Sequence, residues 1–429
     1  MDMDTRALTS AVEEALMQLG NRLELEEVER ALTSAVEEAL MQLGNRLELE
    51  EVENLAHLHI LHMLSEKIKD LLANQEEFSR SQMMICSPFG MTGFQSILVA
   101  PVLLSEARRR GSAIAAVEWL QKVLNTQRAS GILVITCWGI TPEVPVTLPG
   151  NVQLLPFESL PASRQKDALS KPHCPSLTMP PLTWKSPTAA VVCTTAIEPF
   201  LKDANDDTPM QNATDYSPLL SDVLLCLGTS AEAGIMPGPR WFQYTDPDLE
   251  CAQTGSPTIF VHQEITPLAL EGNGNLDVSR ASELISNFLN LNSSHKNKAR
   301  IAMQRLAQAR IRRMPADRAL ELAIALEALL VGDHGELTFK IGLRAALLTS
   351  TNPDERRRVR AIIKAMYNIR SSLVHTGSSR DTFTVSGIGK MSTSDIVAEA
   401  MGITTSVVQI LVNNGMNPDW DSIELSITT

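Results

Sequence analysis

The last third of the chain constrains the fold most, because it is written almost entirely in helix signals. From Ala281 onward, apolar residues recur at the spacing that one face of a helix with ~3.6 residues per turn requires. "ASELISNFLNL" opens the series, and "KARIAMQRLAQARIRR" follows, carrying Arg300, Arg305, Arg310, Arg312 and Arg313. "PADRALELAIALEALLVG" has Pro315 in its first turn, Asp317 near the positive end of the helix dipole, and a stop at Gly332. "ELTFKIGLRAALLTS" is a fourth segment. "PDERRRVRAIIKAMYNIRSSLVHTG" is entered by Pro353 and closed by Gly377, and "STSDIVAEAMGITTSVVQILVNNG" supplies one or two further helices. Helices joined by short turns predict an all-α bundle over residues 281–429.

The remainder reads differently. "RALTSAVEEALMQLGNRLELEEVE" occupies 6–29 and recurs letter for letter at 30–53. Each copy has helical spacing and is expected to break at Gly20–Asn21 or Gly44–Asn45. Two copies fall short of a solenoid. Residues 1–53 are therefore expected to form an acidic helical tandem repeat, either a docking arm for a protein partner or a simple extension. Residues 54–78 continue helically, and His57, His59 and His62 read as amphipathic-face histidines rather than metal ligands, since no carboxylate or cysteine joins them at ligand spacing. Between about 80 and 260, strand-like runs appear at "FQSILVAPVLL", "GILVITCWGI", "NVQLLPF", "TAAVVCTTAI", "DVLLCLG" and "PTIFVHQEI", with a helix expected over "SEARRRGSAIAAVEWLQKVLN". Prolines cluster at 141–187 and suggest long loops. Residues 54–275 are thus expected to be an α+β region.

Charge is unevenly spread. The chain carries a net −13, residues 1–53 carry 14 acidic against 4 basic residues, and residues 296–370 carry 16 basic against 7 acidic. A basic block in an acidic protein predicts attraction of a polyanion to one region. On that ground Arg310, Arg312, Arg313, Arg356, Arg357 and Arg358 are candidates for an RNA-facing surface. The cysteines (Cys86, Cys137, Cys174, Cys193, Cys226 and Cys251) are scattered with no CxxC pair, which fits buried thiols in a reducing compartment. No leader-like segment and no run of 18 apolar residues is visible, so the expectation is a cytoplasmic protein without a membrane partner. "SGIGKMS" ends like a phosphate loop but has Thr384 and Met391 where glycine and a hydroxyl residue are needed, and "GTSAEAG" is not a nucleophile elbow. No metal or cofactor site is predicted.

One stretch stands apart. In "YNIRSSLVHTG", Arg370 falls within the apolar stripe formed by Val359, Ile362, Ile363, Met366, Ile369 and Leu373. A guanidinium there needs a partner or a wet cleft. Glu327 in "IALEALL" is the candidate partner, with Arg344 in "GLRAALL" able to compete for it. His375 adds an imidazole, a side-chain type that can take or give a proton. A cation that holds a phosphate and an imidazole that moves protons are what cleavage of RNA by its own 2′-hydroxyl requires.

Taken in order, "RIAMQRLAQARIRRMPADRALELAIALEALLVG", "ELTFKIGLRAALL" and "YNIRSSLVHTG" resemble the Apea-like branch of the HEPN superfamily, over about residues 296–425. The resemblance implies an α-helical bundle that dimerises, and for many members a metal-independent ribonuclease of toxin or antiphage systems. The R-x4-6-H motif of the family matches Arg370 and His375, with Glu327, Arg344, Tyr367 and Ser371 as supporting residues. Ser371 stands where active members often have Asn, Asp or His, and Thr376 where the first glycine after the histidine is usual. The expected architecture is an α+β N-terminal region followed by an all-α, HEPN-like helical bundle. Two functions remain open: an endoribonuclease with a composite site at a homodimer interface, and a non-catalytic module that binds RNA or a nucleotide, or scaffolds an assembly.

Overall fold

The computed structural model describes residues 5–23, 66–73, 78, 82–170, 185–206, 216–232, 234–253, 274–331 and 337–425. The elements begin with α1 (Thr5–Leu23), α2 (Glu66–Ala73), β1 (Met83–Ser87), β2 (Gly90–Gly93), α3 (Ser96–Arg110), α4 (Ala113–Asn125) and β3 (Ala129–Trp138). Next come β4 (Val146–Leu148), β5 (Val152–Pro156), α5 (Arg164–Ser170), β6 (Ala189–Ile197), β7 (Leu201–Asp203), α6 (Tyr216–Ser230), β8 (Met236–Tyr244) and α7 (Pro247–Cys251). The C-terminal half holds α8 (Val278–Leu289), α9 (Ser293–Ile311), α10 (Pro315–Leu330), α11 (Leu337–Thr349) and α12 (Pro353–Thr376). It ends with β9 (Thr382–Val385), β10 (Gly389–Ser392), α13 (Thr393–Asn413) and α14 (Trp420–Leu425). The N-terminal part therefore mixes helices and strands, and the C-terminal half is mostly helical.

The chain divides into two compact units, neither of them contiguous in sequence: Met1–Leu133 with Thr194–Asp215 and Phe242–Thr258, and Val134–Cys193 with Tyr216–Trp241 and Ile259–Thr429. In the first, β1 pairs antiparallel with both β2 and β7. Helices α1, α2, α3 and α4 pack on one another. Helix α1 holds residues 6–23 of the first repeat copy. It buries Leu8, Ala11, Val12 and Ala15 and runs through Gly20–Asn21 to Leu23 instead of breaking there. An interior glycine costs a helix only about 1 kcal/mol. The second copy, His57, His59 and His62, and the run "PTIFVHQEI" lie outside the described residues.

Other expectations need correction. "FQSILVAPVLL" is the start of α3, with Val99, Ala100, Leu103 and Leu104 buried along one face. "DVLLCLG" lies in α6. A short apolar run looks the same to periodicity whether it is a buried strand or a buried helix. The single helix expected over 105–125 is two: Gly111 ends α3 at a φ of 68°, and Ser112 starts α4 by accepting a hydrogen bond from Ala115 N–H. The runs at 131–140, 151–157 and 188–197 do form β3, β5 and β6.

The five-stranded sheet has the order β4-β5-β6-β3-β8. Strand β8, "MPGPRWFQY", had no strand signal because of Pro237 and Pro239. It occupies the sheet edge, where a missing N–H is tolerated. Gly238 is required there, since a Cβ would sit 2.5 Å from Thr136 Oγ1, and Thr136 donates to the Pro239 carbonyl at 2.7 Å.

Within the second unit, α10 packs against α9, α12 and α13, and α13 also meets α8, α9, α11 and α12. Leu322, Ala323 and Leu326 of α10 and Ile396, Val397, Ala400, Val407 and Val408 of α13 are fully buried or nearly so. Each large apolar side chain so buried contributes roughly 1.5–3 kcal/mol. By length and composition α13 could cross a membrane, but its apolar face is the one packed on these neighbours. The C-terminal half is not all-α: β9 and β10 form an antiparallel hairpin. Its turn uses Gly387 and Gly389 at positive φ, so the "SGIGKMS" glycines serve backbone geometry.

Candidate active site

Helix α12 carries both residues of the motif. Its start is fixed locally: Asn352 Oδ1 accepts from the Asp354 and Glu355 N–H groups, and Pro353 follows. Its end is fixed by Gly377, left-handed at a φ of 69°, whose N–H bonds to the Leu373 carbonyl. Thr376 is still helical, and its hydroxyl donates to the Ser372 carbonyl at 2.7 Å. The position needing a glycine's conformational freedom is therefore Gly377.

Ile362, Ile363, Met366 and Ile369 are buried, while Lys364, Asn368, Ser371 and His375 form the solvent stripe. Arg370 sits at the margin, its side chain 35 % exposed. Arg370 and His375 are separated by five helical steps, about 140° around the axis. The guanidinium lies beside the packed face and the imidazole looks away from it. One protomer thus does not bring the two groups together.

Arg370 is loosely held. Its Nη2 lies 3.8 Å from Glu327 Oε1, and its guanidinium carbon is 5.8 Å from the centre of the Tyr367 ring. Its Nε is buried and finds no hydrogen-bond partner. Tyr367 is the firmer partner of Glu327, donating to Oε1 at 3.2 Å, with the Ala323 carbonyl an alternative acceptor at 3.4 Å. Burial first, and the Glu327 charge second, push the Tyr367 hydroxyl far above its ordinary pKa. Arg344 does not compete for Glu327. It donates to Glu424 Oε1 at 2.7 Å and to the Leu330 carbonyl at 2.6 Å, and it stacks 4.4 Å from the Trp420 ring centre. Ser371 is exposed.

The arginines expected to face RNA are largely engaged within the fold. Arg310 turns inward and donates to the carbonyls of Gly228 and Ala231, and burial lowers its pKa. Arg312 shares the buried Glu321 with Arg305, both at 3.1 Å. Arg356 donates to the Ser350 carbonyl, Arg357 pairs with Asp354, and Arg358 grips Glu399 through two hydrogen bonds of 2.6 and 2.7 Å. Of the six, Arg313 is exposed with no partner among the described residues.

Sequence reasoning missed Glu321, Asp222 and Glu424 as partners of this basic block. Each lies far in sequence from at least one arginine it serves, so local spacing held no signal. It also missed an open cleft of about 520 Å³ walled by the end of α6 and by α8, α9, α10 and α13. Among the described residues, no group of three or more His, Cys, Asp or Glu side chains is placed to hold a metal. The Cys137 and Cys193 thiols are pushed up to about 12 and about 11 by burial, which disfavours thiolate chemistry. Comparison of the chain with known protein families, curated proteins and solved structures finds no match.

Proposed function

We propose that the C-terminal half is a HEPN-type, metal-independent endoribonuclease that acts as a homodimer. The observation that carries this reading is the state of Arg370. Its guanidinium is partly exposed and held by a contact of only 3.8 Å, so it keeps donors for an anion. His375, exposed in the last turn of α12, is free to exchange protons with water and substrate. Because the two groups diverge on one helix, the reading requires two copies of α12 around a two-fold axis. An imidazole then removes the proton of a ribose 2′-hydroxyl, the resulting oxygen attacks the adjacent phosphorus, and the 5′-oxygen leaves with a proton. Arg370 stabilises the charge that builds on the phosphorane oxygens. On this reading the protein works in the cytoplasm as a toxin or antiphage effector. Its products end in a 2′,3′-cyclic phosphate and a 5′-hydroxyl. Incubation of end-labelled RNA with the purified protein in EDTA, with analysis of the new termini, tests this; a 3′-hydroxyl product would refute it.

A second reading has an observation of its own. Five of the six candidate RNA-facing arginines are engaged internally, which weakens the field available to a long polyanion. Together with Ser371 and Thr376, this favours a non-catalytic module that binds a short RNA or a nucleotide, or scaffolds an assembly. Absence of cleavage with retained, salt-dependent RNA binding would select it.

A further inference from the structure

We propose that the cleft between the end of α6 and helices α8, α9, α10 and α13 binds a phosphate-bearing small molecule of nucleotide size, at a site separate from Arg370 and His375. Three arginines line it: Arg280 from α8, Arg310 from α9 and Arg318 from α10. None of the three guanidinium groups has a carboxylate partner among the described residues. That sets them apart from arginines of this half that hold acids: Arg300 on Asp222, Arg305 and Arg312 on Glu321, Arg344 on Glu424, Arg357 on Asp354, Arg358 on Glu399 and, more loosely, Arg370 on Glu327.

The three guanidinium groups are instead positioned by neutral acceptors. Arg280 donates to Gln409 Oε1 at 2.5 Å, and Gln409 is itself fixed by donating to the Thr229 carbonyl at 2.9 Å. Arg318 donates through Nε to the Arg312 carbonyl at 2.7 Å. Arg310 donates to carbonyls at the end of α6 and to Thr405 Oγ1 at 3.4 Å. Capping a helix end accounts for Arg310, at the end of α6, and for the Nε of Arg318, at the C-cap residue of α9, but not for Arg280. Each guanidinium has five N–H donors, so each keeps several for a ligand.

Two further features fit an anion. Ser230 lines the cleft, and its Oγ is buried with no hydrogen-bond partner, a polar group that a ligand oxygen would satisfy once the side chain turns toward it. Among the described residues Glu232 is the one acidic residue in the lining and forms no ion pair with the three arginines, so the described lining is net cationic. Fixed, planar guanidinium forks of this kind match phosphate oxygens in pairs. A volume of about 520 Å³ lies within the range of small-molecule sites.

Isothermal titration calorimetry of the full-length protein tests the assignment with three probes: inorganic pyrophosphate, ADP and adenosine. Pyrophosphate and ADP should bind saturably, and adenosine should not. The double variant Arg280→Gln/Arg318→Gln should weaken ADP by roughly tenfold or more, the loss expected of charge-assisted hydrogen bonds. Arg108→Gln, an exposed cation on α3, should leave ADP affinity unchanged. The double variant's melting temperature reports whether it is folded, and Arg280→Lys should restore part of the affinity if folding is intact. The proposal is overturned if neither phosphate probe binds at millimolar concentration. It is also overturned if adenosine binds as well as ADP, or if the folded double variant binds ADP like the parent.

Discussion

Replacing Arg370 with alanine separates a cation kept for a ligand from one committed to a structural ion pair. At 3.8 Å two unit charges attract by about 1 kcal/mol in water and about 4 kcal/mol at an effective permittivity near 20. The side chains of Arg370 and Glu327 are 35 % and 28 % exposed, so water screens the pair and the net value falls to roughly 0.2–1 kcal/mol. Losing part of the arginine stem from the edge of the packed face adds about 1 kcal/mol. Glu327 is not stranded by the change, because Tyr367 still donates to it at 3.2 Å. Arg370→Ala should therefore cost about 1–2 kcal/mol in urea unfolding followed by circular dichroism at pH 7. Tyr367→Phe should cost as much or more, since a buried hydroxyl bonded to a charged acceptor contributes roughly 1.5–3 kcal/mol. A loss above about 3 kcal/mol for Arg370→Ala would show that the guanidinium balances a buried charge, and the case for it as a phosphate ligand would fail.

Three other outcomes follow from the same geometry. Arg300→Ala should destabilise by about 3 kcal/mol, because it leaves Asp222, only 5 % exposed, without the two hydrogen bonds of 2.7 and 2.9 Å that balance its charge; the apolar pair Arg300→Met/Asp222→Leu should recover most of that loss. Tyr244 and Tyr367 both have hydroxyls raised by burial, so the folded state holds protons that the unfolded state releases above pH ~10. Stability is thus fully present below that pH and should fall as pH rises beyond it, by about 1.4 kcal/mol per pH unit per tyrosine; flat stability up to pH ~11.5 would contradict the burial of these hydroxyls. The protein should be a dimer by light scattering at micromolar concentration, and Val374→Asp, at an apolar residue 59 % exposed beside His375, should shift it to monomer; an active monomer would refute the composite site.

What could be read in the sequence was local. The limits of α12 follow from Asn352, Pro353 and Gly377, each acting within one turn; periodicity put Arg370 within the apolar stripe, whereas its side chain lies at the stripe's margin, 35 % exposed. The same periodicity failed on 94–104 and 222–228, where near-continuous apolar runs, some of whose members such as Ile97 and Leu98 stay exposed, hide the difference between strand and helix. Strand β8 was hidden by its prolines, which only an edge position permits. The partners of the basic block were hidden for another reason. Asp222, Glu321 and Glu424 are brought to Arg300, Arg305 and Arg344 by tertiary packing, and a charge total cannot show which cations have been neutralised. The cleft of Arg280, Arg310 and Arg318 is the complement of that pairing, visible only once the acids are assigned.

The central claim is most directly tested by single-turnover cleavage of a labelled RNA in EDTA, with the parent protein and His375→Ala compared at equal concentration. His375 is an exposed residue of the last helical turn, so the substitution should leave stability within about 0.5 kcal/mol. If His375 moves the proton, the rate should fall by roughly 10²–10⁴-fold while RNA affinity is unchanged. Equal rates for the two proteins, or no cleavage by either, would contradict the account.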